Sequence, residues 1–218
     1  MLRILIADDH EVARRGIRAL LESHPGWEVC AEAKDGRETV DLAARLKPDL
    51  ILLDIGMPNL NGLEAARQIL AASPDAVILI LTMHDTDHVV REVLRAGARG
   101  FLLKSDAGRD LVAAVEALQR QSTFFTTRVS QMVLDGFLDR GKRESEPEYF
   151  FDDVLTTRER EVIQLLAEGR TSKEVAVTLN LSVKTAETHR TNLMRKLDLH
   201  SVADLTRYAV RNGIVQVF

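Results

Sequence analysis

The 218-residue chain has a single cysteine, Cys30. One thiol cannot close an internal disulfide, and Cys30 lies in an apolar, strand-like stretch, so a buried inert thiol is expected rather than a nucleophile. No run of eighteen or more apolar residues occurs, which excludes a membrane-spanning helix, and Met1-Leu2-Arg3 leads straight into a strand-like stretch rather than into a signal peptide. A cytoplasmic protein without a membrane partner is expected. There is no internal repeat and no glycine-rich phosphate loop of the nucleotide-binding kind. What is present is ordinary for a folded domain: 45% of residues are hydrophobic and 28% charged, too apolar for a disordered chain. The length admits one large domain or two modest ones.

The formal charge of -4 is unevenly spread. Leu155 to Phe218 holds ten Lys and Arg against seven Asp and Glu, or +3, which leaves -7 for the first 154 residues. The acidic and mildly basic parts are expected to do different jobs. From Met1 to about Gln121, short aliphatic runs alternate with segments of helical period, predicting five strands: Leu2 to Ala7, Glu28 to Ala33, Leu50 to Leu53, Val77 to Leu81 and Gly100 to Leu103. Val12, Ile17, Leu20 and Leu21 recur at helical spacing, as do Val89, Val90, Val93 and Leu94, and Leu111, Val115 and Leu118; these are expected core faces. Strands 3 to 5 are continuously apolar, as in a parallel sheet covered on both faces, so a doubly wound α/β fold of strand order 2-1-3-4-5 follows.

After Gln121 the pattern changes. Val129 to Leu138 fits a short helix, and the charged, aperiodic stretch Arg140 to Asp153 reads as a linker, giving expected units of 1–121, 122–154 and 155–218. The last unit is all-α. Thr156 with Glu159 and Thr171 with Glu174 fit capping boxes, Ser182 and Ser201 fit N-caps, and Gly169 and Gly213 sit where helices stop. Four helices are predicted, roughly Thr157 to Glu168, Ser172 to Leu179, Val183 to Leu197 and Val202 to Asn212.

In an open parallel sheet, ligands bind outside the carboxyl ends of the strands. Those ends carry Asp8 and Asp9, Asp54, Thr82 and Lys104. The predicted strand order brings all five into one crevice. Taken singly each has an ordinary role, as a helix cap, a loop hydroxyl or a solvated charge; their joint placement points to chemistry. Clustered carboxylates repel one another and are tolerated chiefly around a hard divalent cation, for which Mg²⁺ is the natural choice. A carboxylate beside such an ion can attack a phosphoryl group while a lysine and a hydroxyl bind its oxygens, and Asp54 is the central candidate.

Asp8-Asp9, Asp54-Ile55-Gly56-Met57-Pro58-Asn59-Leu60-Asn61-Gly62, Leu81-Thr82 and Gly100-Phe101-Leu102-Leu103-Lys104 resemble the receiver domain of bacterial response regulators, over about Leu2 to Gln121. The resemblance implies that Asp54 accepts phosphate from a histidine kinase. It also implies that Asp9, Asp54 and the Gly56 carbonyl ligate Mg²⁺, with Asp8 acting largely through water, and that Thr82 and Lys104 grip the phosphoryl oxygens. Phe101 matches the family's switch aromatic, and Gly56 and His84 fall where the family tunes dephosphorylation. Where many receivers follow the lysine with a cis proline, this chain has Ser105.

Leu155-Thr156-Thr157-Arg158-Glu159-Arg160-Glu161-Val162, Glu168-Gly169, Ser172-Lys173-Glu174-Val175-Ala176, Ser182-Val183-Lys184-Thr185-Ala186-Glu187-Thr188-His189-Arg190 and Arg195-Lys196-Leu197 resemble the LuxR/NarL-type helix-turn-helix. The second helix of such a motif enters the major groove. Val183, Ala186, Leu193, Met194 and Leu197 are its expected inward stripe. Ser182, Lys184, Thr185, Glu187, Thr188, Arg190, Thr191 and Arg195 are the expected DNA-facing residues: cations for phosphate or guanine, Glu187 for cytosine, threonine methyls for thymine.

The expected function is a phosphorylation-gated transcription factor, not an enzyme. In it the unphosphorylated receiver covers the recognition helix or the outer surface of Val202 to Asn212, and phosphorylation shifts the population to a homodimer on promoter half-sites. An enzyme of the dehalogenase-like phosphatase type needs an acid two residues after its nucleophile, where this chain has Gly56. The remaining alternative is a phosphorylation-independent dimeric regulator or interaction module.

Overall fold

The computed structural model describes residues 1–83, 86–127, 129–131 and 155–215. The first part runs β1 (Leu2–Ala7), α1 (Glu11–Glu22), β2 (Trp27–Ala33), α2 (Gly36–Leu46), β3 (Leu50–Asp54), α3 (Gly62–Ala72), β4 (Ile78–Thr82), α4 (Asp87–Arg95), β5 (Gly100–Leu103), a short 3-10 turn (Lys104–Asp106) and α5 (Ala107–Gln119). All strand pairs are parallel and the order is 2-1-3-4-5, as the apolar runs predict. Successive strand residues face opposite sides. Leu5, Ala7, Ile51 and Leu53 join the layer containing Leu42, Leu63, Ile69 and Val93, whereas Ile4, Ile6, Leu50 and Leu52 join the layer containing Ile17, Leu21, Leu111 and Val115. The sheet is thus covered on both faces, and its strand ends are left as the open rim.

Two expected core positions behave otherwise. Val12, second residue of α1, is 85% exposed; Arg14 takes the inward place and lies buried with Ile17 and Leu21. Val183 opens its helix and is exposed, because the first turn projects beyond the layer that buries Ala186 and Leu193. Cys30 is half-buried, its thiol pushed up in pKa first by burial, and it donates to the Ile4 carbonyl at 3.4 Å.

The second part contains α6 (Thr157–Ala167), α7 (Ser172–Thr178), α8 (Val183–Lys196) and α9 (Val202–Arg211) around Leu155, Val162, Ile163, Val175, Leu193 and Leu205. Both capping boxes are made, and Ser182 and Ser201 accept amide hydrogens from Thr185 and Asp204. Gly169 and Gly213 take left-handed φ values of 85° and 64° just past helix ends, where a side chain would be strained. Most of the expected helix from Val129 and the whole linker from Arg140 lie outside the described residues.

The two parts touch mainly through α6, and also at the end of the chain's last described segment, where Asn61 donates to the Ile214 carbonyl at 3.2 Å. Arg160 Nε pairs with Glu64 at 2.8 Å, Arg37 with Glu161 at 3.4 Å, and Gln68 donates to Glu161 at 2.9 Å. His88 Nε2 lies 3.2 Å from the Asn212 carbonyl, just past α9. The receiver-like part therefore covers neither the outer face of α8 nor the outer stripe of α9, where Val202 and Val210 remain exposed. Of the two maskings expected, that of the recognition helix is not seen among the described residues, and Val202 to Asn212 is met only at its last residue; most of the contact is made by the polar face of α6.

Candidate functional site

Asp54 ends β3 and pairs in register with Leu81; Thr82, next along β4, pairs with Leu103, and Lys104 follows at once. Asp8 follows β1, the other neighbour of β3. Parallel strands in register end at one level, so residues far apart in sequence meet there. Lys104 Nζ lies 2.7 Å from Asp54 Oδ2 and 2.8 Å from Asp8 Oδ2, with both carboxylates almost fully buried. Burial raises the Asp54 pKa; the Lys104 charge and hydrogen bond oppose this, Asp8 adds to it, and the Gly56 amide opposes it again. Burial acts to lower the Lys104 pKa, but attraction to Asp54 and then Asp8 outweighs it and holds the ammonium above its ordinary value. The lysine is a fixed cation between two carboxylates.

Asp8, Asp9, His10 and Asp54 each offer one ligand atom within 4.8 Å of the others. Asp8 Oδ2 and Asp9 Oδ1 are buried oxygens, the first 2.8 Å from the Lys104 ammonium and the second 2.7 Å from His10 Nδ1. Carboxylate oxygens crowded this closely, each with lone pairs beyond the one its nitrogen neighbour uses, fit a hard, oxygen-seeking cation. His10, with Nδ1 2.7 Å from Asp9, is a neighbour that motif reasoning does not single out.

Two further residues shape the site: Arg14, which no motif includes, and Gly62, which closes the receiver motif without a role assigned to it. Arg14 donates to the Asp8 carbonyl at 2.7 Å and to Glu32 at 3.1 Å, fixing the turn that carries the acidic pair. Its signal is an arginine three and seven residues before Ile17 and Leu21, on what should be an apolar stripe. Gly62 begins α3 where a Cβ would lie 1.9 Å from the Asp54 carbonyl oxygen, so only glycine lets the helix start against the end of β3. Thr82 and Phe101 are both fully buried, the latter as a core aromatic of β5 whose amide donates to Phe124 at 2.8 Å. His84 lies outside the described residues.

In the other part, Ser182, Lys184, Thr185, Glu187, Thr188, Thr191 and Arg195 are exposed along α8, and Arg190 is half-buried. The hydroxyls of Thr188 and Thr191 donate back to the Lys184 and Glu187 carbonyls at 2.8 and 2.9 Å. Ser182 and Thr185 hydroxyls bond each other at 2.8 Å.

A doubly wound receiver with a buried Asp-Lys pair at its rim, followed by a helix-turn-helix, defines a phosphoacceptor-type regulator that reads nucleic acid. Residues 4–116 match the family described as response regulator receiver domain, and residues 153–209 the family described as bacterial regulatory proteins, luxR family. The transcriptional regulatory protein LiaR of Bacillus subtilis (strain 168) is 38% identical over 215 residues, covering 99% of this chain and 100% of that protein. The oxygen regulatory protein NreC of Staphylococcus carnosus (strain TM300) is 34% identical, covering 98% and 99%. Among solved structures, RcsB of Salmonella typhimurium is similar with a TM-score of 0.59 at 28% identity, covering 95% of this chain and 98% of that one. The chain belongs to the LuxR family of two-component response regulators, which are transcription regulators. No helix among the described residues is long and apolar enough to cross a membrane.

Proposed function

We propose that this regulator is switched by phosphorylation of Asp54 by a histidine kinase, and that the phosphorylated chain binds promoter DNA as a homodimer in the cytoplasm. Its units are a receiver over 1–121, a linker over 122–154 and a DNA-binding domain over 155–218. The observation that carries the reading is the buried Asp54 carboxylate held between Lys104 and the Asp8-Asp9 pair at the open rim of the sheet. Asp54 Oδ attacks phosphorus, the phosphorus–nitrogen bond to the donor imidazole breaks, and its electron pair stays on that nitrogen. Lys104 and Thr82 hold the oxygens on which charge collects, and Phe101 packs behind them as the aromatic that reports the move of Thr82. Asp9, Asp54 and the Gly56 carbonyl, with Asp8 behind, are the residues that would hold Mg²⁺; when bound, it neutralises the crowded carboxylates.

Ser182, Lys184, Thr185, Glu187, Thr188, Arg190, Thr191 and Arg195 make the DNA contacts, a reading supported by their presence on one helix and by solved complexes of RcsB with DNA. The chain is a regulator rather than an enzyme acting on small phosphate esters. Intact-mass spectrometry after incubation with acetyl phosphate and Mg²⁺ tests the acceptor: a single-phosphate adduct is expected on the wild type and none on Asp54→Asn. The exposed reading face of α8 favours one second reading, a regulator that binds DNA without phosphate. DNA affinity equal before and after adduct formation would select it.

A further inference from the structure

His10 stands at the N-cap of α1, where a short oxygen-bearing side chain ordinarily accepts the free amides of the first turn, yet its ring caps none of them. The ring is turned to the acidic rim instead. Nδ1 lies 2.7 Å from Asp9 Oδ1 and 3.5 Å from Asp8 Oδ1, and the His10 amide donates to that same Asp8 oxygen at 2.9 Å. Lys104 takes the other oxygen of Asp8, together with Asp54 Oδ2. Glu11, the next carboxylate along, is paired with Arg15 one turn on. Metal–ligand bonds of about 2.1 Å set neighbouring ligand atoms roughly 3 Å apart and opposite ones roughly 4.2 Å apart. One nitrogen of His10 and one oxygen each of Asp8, Asp9 and Asp54 lie within 4.8 Å of one another. This set of three oxygens and one nitrogen therefore has to contract by only about half an ångström to close on a single ion.

We infer that His10 is a nitrogen ligand of this rim and makes it select first-row transition dications over Mg²⁺. The inference rests on the rim being a cation site, as proposed above. It turns on the chemistry of the fourth donor. Mg²⁺ is hard, takes oxygen and gives up its waters reluctantly, so Asp9, Asp54 and the Gly56 carbonyl serve it and an imidazole adds nothing. Co²⁺, Ni²⁺ and Zn²⁺ accept imidazole readily, and each gains a ligand from His10 that Mg²⁺ does not. Neutral imidazole carries one proton and one lone pair, so the tautomer protonated on Nε2 offers Nδ1 to the ion. The ring is 56% exposed, which keeps water at hand for that exchange of tautomer. With Nδ1 bound, Asp9 Oδ1 becomes its neighbour in the ligand set instead of its hydrogen-bond partner, at nearly the same separation. Because the carboxylates are shared, an ion held in this way excludes Mg²⁺, and which ion the rim holds depends on the supply of such metals.

The test uses the full chain as wild type and as His10→Asn, a favoured N-cap residue with no imidazole lone pair, with His10→Ala as a second variant should the first misfold. Co²⁺ and Mg²⁺ are titrated separately by calorimetry. Mg²⁺ is then added to the cobalt-loaded protein while the visible absorption of the cobalt is followed. The wild type is expected to bind Co²⁺ at least about ten-fold more tightly than Mg²⁺, with excess Mg²⁺ displacing it. In His10→Asn the ratio of Co²⁺ to Mg²⁺ affinity should fall by about ten-fold or more, the loss that even an outer-shell partner of a metal can cause, and the cobalt bands should shift. A ratio unchanged in the folded variants, or cobalt that Mg²⁺ does not displace and that therefore sits elsewhere, would overturn the inference and leave the Mg²⁺ reading intact. Failure of both ions to bind the wild type would overturn the two together.

Discussion

At the scale of single residues, the site is an electrostatic compromise that each side chain makes tolerable for the next. Asp8 and Asp54 are buried carboxylates, and Lys104 is the cation between them. Removing one partner from a buried ion pair leaves uncompensated charge, which costs more than the pair contributes. Lys104→Ala should therefore lower stability by about 3 kcal/mol in urea unfolding with chelator present; a loss no larger than that of a surface lysine would refute the role given to it. Gly62 acts through shape alone. With a Cβ placed 1.9 Å from the Asp54 carbonyl, Gly62→Ala must displace the end of β3 or the start of α3. It should cost more than about 2 kcal/mol and slow adduct formation at Asp54, whereas Gly16→Ala, where a Cβ meets nothing within 4 Å, should do neither. Asp8, Asp9, Asp54, Thr82 and Lys104 were legible because a strand end is visible as the last residue of an apolar run. Arg14 was not, and Gly62 stood in a motif with its role unread, since an arginine on a helix and a glycine in a loop acquire meaning only from what they touch.

At the scale of elements, caps and periodicity were read well, and helix faces less so. The hydroxyl-and-carboxylate pairs that start α6 and α7 depend only on residues three apart, so they could be read locally. Val12 and Val183 fit an inward stripe by spacing but stand on first turns that overhang the core, which periodicity cannot register. The α6 face that meets the receiver carries Arg160, Glu161, Gln164 and Glu168, and in isolation those residues describe a solvated surface. Glu168 makes that contact sensitive to pH. Burial raises its carboxyl pKa above 4.5, opposed by hydrogen bonds from Gln164 and the Asn59 amide and by Arg170, and assisted by Asp35. Once released, the side chain titrates near its ordinary value, so between the two values the docked form binds more protons. Docking should therefore tighten as pH falls through the docked pKa and stop changing below about 4.5. Small-angle scattering should show a smaller radius of gyration at about pH 5 than at pH 7, and Glu168→Gln should remove most of that difference. A radius that grows on acidification would contradict the assignment.

At the scale of the whole molecule, no apolar cluster among the described residues spans the joint: two flank the sheet, one of them taking in Val129 just beyond the receiver, and a third lies among α6 to α9. The joint between domains is made of hydrogen bonds and ion pairs, which suits a contact meant to open. Such a contact weakens with ionic strength where its charges reach solvent. Arg37 is part-exposed opposite Glu161, while the Arg160–Glu64 pair is better sheltered. Raising salt from about 0.1 M to 1 M shortens the screening length from about 10 Å to 3 Å. Over that range the scattering envelope should extend, less so in Arg37→Ala, which has lost the more exposed pair. An envelope indifferent to salt would mean that the joint is held by something other than these charges. The open outer faces of α8 and α9 imply that release of α6 frees the orientation of the DNA-binding domain rather than uncovering its reading helix.

The sequence by itself determined the two domains' secondary structure, the strand order, the acidic rim with its lysine, and the helix-turn-helix. These follow from local patterns: apolar period, caps, and residues at the ends of strands. Only the tertiary structure decided that Lys104 bridges Asp8 and Asp54, that Arg14 holds the acidic turn, and that α6 rather than α8 faces the receiver. The first and last of those outcomes rest on pairs about fifty to more than a hundred residues apart, and the Arg14 contact, six residues from Asp8, needs Glu32 on the next strand to fix it. The side chains that make them are polar, and a polar side chain bears no mark of its partner until folding brings the two within reach.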